Sequence, residues 1–214
     1  HLMSSTVKNA KRLGHWWTLI WLILAIITVA GPSLQKIEIP VFQRADALVI
    51  VLDLSASMNA ADIQPSRAQR AKQKILDLLA QRNEGVTGLV VYAGDAHVVA
   101  PLTDDRRTIE NLLSALTPDI MPLPGSDVTD ALGVAVTLLQ TAGVANGQVL
   151  LITDGMPKFQ AADLKNTLSA ARVELAILGV GTRSGAPIPR PDGGFLRSDD
   201  GEIVIPSFEP AVLA

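Results

Sequence analysis

Apolar positions along the chain fall into three patterns, each predicting a different kind of element. From Trp16 to Leu34 there is no charged residue, and the centre reads Leu19-Ile20-Trp21-Leu22-Ile23-Leu24-Ala25-Ile26-Ile27, long enough for a short transmembrane helix. Two shorter runs, Ala47-Leu48-Val49-Ile50-Val51-Leu52 and Val149-Leu150-Leu151-Ile152-Thr153, are continuously apolar and end at Asp53 and Asp154. Such runs predict strands covered on both faces of a parallel sheet. Between Ser66 and Arg82 the period changes: Ala68, Ala71, Ile75, Leu78 and Leu79 keep helical spacing, with Arg67, Arg70, Lys72 and Lys74 expected mostly to face water.

The remaining segments complete an alternation. Residues 88–92 and 96–102 read as two strands joined at Gly94-Asp95, a connection short enough to make them antiparallel. Helices are predicted over 108–116, over 127–142 after a Pro-Gly-Ser turn, and over 161–171, followed by a strand over 173–180. The fold class is therefore α/β, a Rossmann-like three-layer sandwich whose mostly parallel central sheet has one antiparallel edge strand, with a binding crevice at the carboxyl ends of the strands. Residues 185–206 are rich in Gly and Pro and predict a hairpin insertion at the rim, turning at Asp199-Asp200-Gly201. The expected organisation is a basic flank or non-native leader over 1–15, a transmembrane helix over 16–34, a connector over 35–45 and one domain over 46–214 whose last element lies beyond Ala214.

Composition narrows the function classes. Lys and Arg number 18 against 21 Asp and Glu, a net charge of -3, so there is no electrostatic case for a nucleic-acid partner. The absence of cysteine excludes disulfides, thiolate metal sites and a cysteine nucleophile. Trp16, Trp17 and Trp21 cluster in the apolar run as at a membrane interface, and Lys8, Lys11 and Arg12 before it predict a cytoplasmic N-terminal side and an exported domain. Alternatives for that run are a cleaved signal peptide, with Thr28-Val29-Ala30 as cleavage site, or a buried core helix.

Candidate chemistry gathers where two strands end. In Asp53-Leu54-Ser55-Ala56-Ser57, alternate residues of an extended chain point the same way, so one carboxylate and two hydroxyls converge. These are hard oxygen donors of the kind Mg²⁺ prefers. Ser126 supplies a further hydroxyl from a neighbouring loop, and Asp154 coordinates directly or holds a water from behind. Asp53, Ser55, Ser57, Ser126 and Asp154 are thus the candidate ligands of a divalent cation, Mg²⁺ first, with Mn²⁺ or Ca²⁺ as alternatives.

At these residues the chain resembles the metal-ion-dependent adhesion site of von Willebrand factor A domains. Asp53, Ser55, Ser57 and Asp154 match that pattern directly, while Ser126, within Gly125-Ser126-Asp127-Val128-Thr129-Asp130-Ala131-Leu132, stands where the family usually has Thr. The strings from Asp53 through Met58, Asp62, Pro65 and Arg67, then Tyr92 to Ala96, Pro101 to Asp105 and Gly185 to Pro189, resemble the BatB-like branch of the Bat proteins of bacterial aerotolerance operons. The resemblance implies the inner membrane with the domain facing the periplasm. It also implies other Bat proteins, a tetratricopeptide-repeat protein and a MoxR-type ATPase system as partners. The function so implied is a non-enzymatic module in which the metal binds an acidic residue of a partner protein, within a cell-envelope complex linked to stress or aerotolerance. Its rivals are a metal-dependent hydrolase using a metal-bound water and a metal-free scaffold.

Blander readings apply to the other polar residues. Ser66 is expected to cap a helix, Ser57 and Asp62 have the same option, and Asp127 and Asp130 fall in a first turn where the helix dipole favours negative charge. Asp95, Asp104 and Asp105 read as solvated turn residues, and His97 as a half-buried structural histidine. No Gly-x-Ser-x-Gly, phosphate-binding glycine loop or second acid two residues after Asp53 is present, so serine hydrolysis, nucleotide binding and aspartyl phosphoryl transfer lack their parts.

Overall fold

The structure, a computed structural model, describes residues 16–17, 19–26, 46–144, 146–155, 172–190 and 192–208. The chain divides into two units, His1–Val41 and Phe42–Ala214. In the first, residues 16–17 and 19–26 are helical and their side chains are exposed. Among the described residues no helix is long and apolar enough to cross a membrane, and the rest of the expected 16–34 span lies outside them.

The second unit is built on a five-stranded sheet in the order β3-β2-β1-β4-β5. The strands are β1 (Ala47–Asp53), β2 (Val86–Tyr92), β3 (Ala96–Thr103), β4 (Gln148–Thr153) and β5 (Glu174–Gly179). β1 lies in the middle, parallel to both β2 and β4, and all seven of its residues are buried. The reason is the two-residue period: Leu48, Ile50 and Leu52 join one core cluster, Ala47, Val49 and Val51 the other. Helix α1 (Arg67–Gln81) and helix α2 (Arg106–Ala115) cover the first face with Ala68, Ala71, Ile75, Ile109 and Leu113. Helix α3 (Val128–Thr141) covers the second with Val128, Ala131, Leu132 and Leu139. The expected antiparallel edge strand is β3, paired with β2.

Helix starts follow their caps: Ser66 accepts from the Gln69 amide, Asp105 from Arg107 and Asp127 from Asp130. The cap at Asp105 moves α2 two residues earlier than the apolar period predicts. The outward placement of basic residues on α1 needs correction, because Arg67 and Lys72 are buried while Arg70 and Lys74 are exposed. Lys72 is drawn inward by unpaired carbonyls at the end of α2, its Nζ donating to Ser114 O at 3.2 Å and Leu116 O at 2.9 Å. His97, expected to be half-buried, is exposed and bonded to Asp95 at 2.9 Å. Within residues 185–206 the antiparallel bridges Pro189 to Phe195 and Arg197 to Ile203 close two successive hairpin turns, the second around Asp199-Asp200-Gly201. The helix expected over 161–171 and the connector over 35–45 lie outside the described residues.

Candidate metal centre

The chain reverses direction across the sheet at β1 and β4: the crossover after β1 leads to β2 on one side, while β4 adds on the other. This is the topological switch point, where the carboxyl ends of parallel strands open a crevice. Asp53 ends β1 and Asp154 follows β4 there, with 0% and 8% of their surface exposed.

Both oxygens of Asp53 are engaged. Oδ1 accepts the Ser55 amide at 2.8 Å, a turn closed by the aspartate's own side chain that fixes the path of residues 53–55. Oδ2 accepts from the Tyr92 hydroxyl at 2.9 Å and lies 2.8 Å from the Thr153 hydroxyl, which also bridges to Gly155. Burial, followed by the nearby charge of Asp154, nonetheless pushes the Asp53 carboxyl up to about 6. The same burial, together with Asp53, raises the Tyr92 hydroxyl well above its ordinary value, so it remains a donor. Tyr92 and Thr153 escaped the sequence reading because each looks like an ordinary strand residue. Their position beside Asp53 follows only from the strand register.

Beyond Asp53 the chain turns into a single 3-10 turn, Ala56–Asn59, and the Ser55 and Ser57 hydroxyls come within 3.0 Å of each other. Ser57 does not cap α1, whose N-cap is Ser66, and lies inside the 3-10 turn that Ser55 opens. Two oxygens bound side by side to an octahedral ion at roughly 2.0–2.1 Å would stand about 2.9 Å apart, so this spacing fits a small divalent cation. Ser126 arrives from another direction. Its loop is docked on the β2–β3 turn by Gly94 N to Leu123 O at 3.0 Å and Asp127 N to Ala93 O at 2.7 Å. Its side chain lies near the Tyr92 hydroxyl, which donates to Asp53. The approach requires Gly94, where a Cβ would lie 2.5 Å from the Pro124 carbonyl.

Asp154 is held from behind. Arg67, fully buried, donates from Nη1 to Asp154 Oδ2 at 2.6 Å and grips Asp62 with Nε at 2.8 Å and Nη2 at 2.9 Å. Asp62 is therefore no helix cap. Burial opposes its ionisation, but bonds from Arg67 and Thr182 together hold its carboxyl well below the usual range. All five candidate residues thus lie around one crevice: Asp53, Ser55 and Ser57 along one segment, Asp154 beside them, and Ser126 across Tyr92. Among the described residues no cluster of three or more His, Cys, Asp or Glu suited to a metal occurs, so any cation here depends on hydroxyl ligands.

A family model of the von Willebrand factor type A domain matches residues 48–156. Among solved structures, an aerotolerance-related membrane protein from Bacteroides fragilis is 30% identical with a TM-score of 0.72, covering 78% of this chain and 84% of that one. BatB from Bacteroides thetaiotaomicron is 28% identical, also at 0.72, covering 78% and 82%. An uncharacterised protein of Borreliella burgdorferi is 28% identical over 179 residues, 79% of this chain but 52% of its own length. The chain spans about half the length of the first curated relatives it matches.

Proposed function

The chain belongs to the von Willebrand factor type A domain family, and from that premise we propose that it is a membrane-anchored, non-enzymatic module that binds a partner protein through a divalent cation, Mg²⁺ in first place. The likeness to BatB and to an aerotolerance-related membrane protein supports an aerotolerance-related, membrane-associated setting, and Lys8, Lys11 and Arg12 before the apolar run support placing the domain on the periplasmic side. The observation that carries the metal reading is the pair of hydroxyls of Ser55 and Ser57, 3.0 Å apart beside two buried carboxylates at a switch point. When bound, the cation would supply a positive centre with room for a carboxylate of the partner. Ser55, Ser57 and Ser126 would offer it neutral oxygens, while Asp53 and Asp154 would balance its charge from beside or behind. A ligand set of neutral hydroxyls leaves the cation electron-poor, which favours an Asp or Glu of a partner as the completing group. Other Bat proteins, a tetratricopeptide-repeat protein and a MoxR-type ATPase system are the proposed company.

A cation that binds only the folded protein stabilises it by mass action, about 2.7 kcal/mol at 100 times its dissociation constant, or roughly 5–10 °C in a domain of this size. The protein is expected to melt higher by that amount in millimolar Mg²⁺ or Mn²⁺ than in chelator, and Asp53→Ala should abolish the difference. Identical responses of wild type and variant would replace the metal reading with a metal-free scaffold.

A further inference from the structure

Arg67 heads the fully buried side chains among the described residues, and its partners are Asp62 five residues before it and Asp154 and Pro206 far along the chain. Of its five N–H donors, one meets Asp154, two meet Asp62, and another from Nη2 meets the Pro206 carbonyl at 2.6 Å. Asp62 in turn accepts the Thr182 amide at 2.7 Å and its hydroxyl at 2.9 Å, and the Thr182 carbonyl accepts the Phe208 amide at 3.0 Å. Thr182 and Pro206 therefore close the base of the hairpin directly over the guanidinium. The contact is tight: a Cβ on Gly181 would stand 2.9 Å from Phe208 Cβ and 3.2 Å from the Arg67 guanidinium carbon. The hairpin was expected as a rim feature. Its base instead ends on the side chain that holds Asp154.

Resting on the metal reading above, we propose that Arg67 is a positioning residue that couples the metal centre to the docking of the Thr182–Phe208 segment, so that a ligand engaging the hairpin is sensed at the cation. A guanidinium is a rigid planar fork, so fixing its Asp62 and Pro206 arms fixes the arm that orients Asp154. Undocking removes the Pro206 acceptor and both Thr182 donors. The fork is then free to turn, and Asp154 loses its orientation toward the crevice. By linkage the coupling is reciprocal, and cation binding must tighten the docked hairpin by the factor by which docking tightens the cation.

The test uses the 214-residue chain and Mn²⁺ itself, by calorimetry and by hydrogen exchange. Thr182→Val, outside the centre and nearly isosteric, should weaken Mn²⁺ several-fold. Arg67→Lys should weaken it about tenfold or more, because one ammonium cannot serve three divergent acceptors, consistent with the loss expected when a group behind a metal ligand is removed. Saturating Mn²⁺ should slow exchange across 182–208 in the wild type and not in Arg67→Lys. Wild-type Mn²⁺ affinity in Thr182→Val, together with exchange over 182–208 indifferent to Mn²⁺, would overturn the coupling while leaving the metal centre intact. Failure of the wild-type chain to bind Mn²⁺ at all would overturn both.

Discussion

Asp53 is wholly buried, yet in the proposed metal centre it must be ionised to balance the cation, and this conflict makes its protonation measurable. Burial and then Asp154 raise its carboxyl from the ordinary 3.8 to about 6 in the metal-free protein. The folded state thus holds this proton more tightly than the unfolded chain. Asp53 therefore makes the metal-free protein less stable as pH rises from 3.8 toward 6, and the full penalty applies above that. In chelator, wild type should lose more melting temperature between about pH 5 and pH 7 than Asp53→Asn, and parallel losses would place the proton elsewhere. Ser126→Thr should keep or enlarge the Mg²⁺ shift and Ser126→Ala shrink it, because only the first retains the oxygen. Loss of the shift in both would mean that the hydroxyl at 126 is not what the cation uses. Asp53 and Asp154 were legible because aspartates ending apolar runs mark strand ends, whereas Ser57 comes beside Ser55 through the 3-10 turn Ala56–Asn59 and not through the extended-chain alternation expected of residues 53–57. Arg67 was not legible, since its burial depends on Asp154 and Pro206, 87 and 139 residues away, and a basic residue on an amphipathic helix otherwise faces water.

Elements meet through a few polar contacts that the apolar pattern does not encode. Lys72 of α1 ties down the carbonyls that end α2, so Lys72→Met should cost about 1–3 kcal/mol in urea unfolding and leave the Mn²⁺ affinity unchanged. Full stability in that variant would mean water serves those carbonyls equally well. On the β2–β3 turn, Gly94→Ala would force the Ser126 loop away, since the new methyl would stand 2.5 Å from Pro124 O. This variant should lose metal response as well as stability. Undiminished metal response would show that the loop does not shape the centre. The strands themselves were readable because β1 and β4 are sandwiched between helices and so carry continuous apolar runs. The antiparallel turn of β2 and β3 was readable from Gly94-Asp95. What periodicity missed was direction on α1: at Arg67 and Lys72 a carboxylate or a helix end waits inside, and the long side chain follows its acceptor inward rather than the average preference of its type.

For the whole molecule, the two units differ in what surrounds their apolar side chains. The Phe42–Ala214 unit packs its apolar residues on both faces of the sheet, whereas Trp16, Trp17, Leu19, Ile20, Trp21, Leu22, Ile23, Leu24 and Ile26 are all exposed on helical backbone. A helix apolar on every side is favourable only in an apolar medium, and Lys8, Lys11 and Arg12 precede it in sequence. If that medium is a bilayer, the basic flank should remain cytoplasmic and the domain should be carried to the opposite side. Two measurements separate anchoring from orientation. The 214-residue chain should stay with membranes through a high-salt wash, because apolar burial is indifferent to ionic screening, while a chain starting at Phe42 should not sediment with them. Release of the longer chain by salt would mean its attachment is electrostatic. A reporter fused after residue 214 should then be active in the periplasm, where a carboxylate on an envelope partner could reach the crevice. Cytoplasmic activity of that reporter would reverse the topology and move the partner to the other compartment, even if the metal centre performs as described.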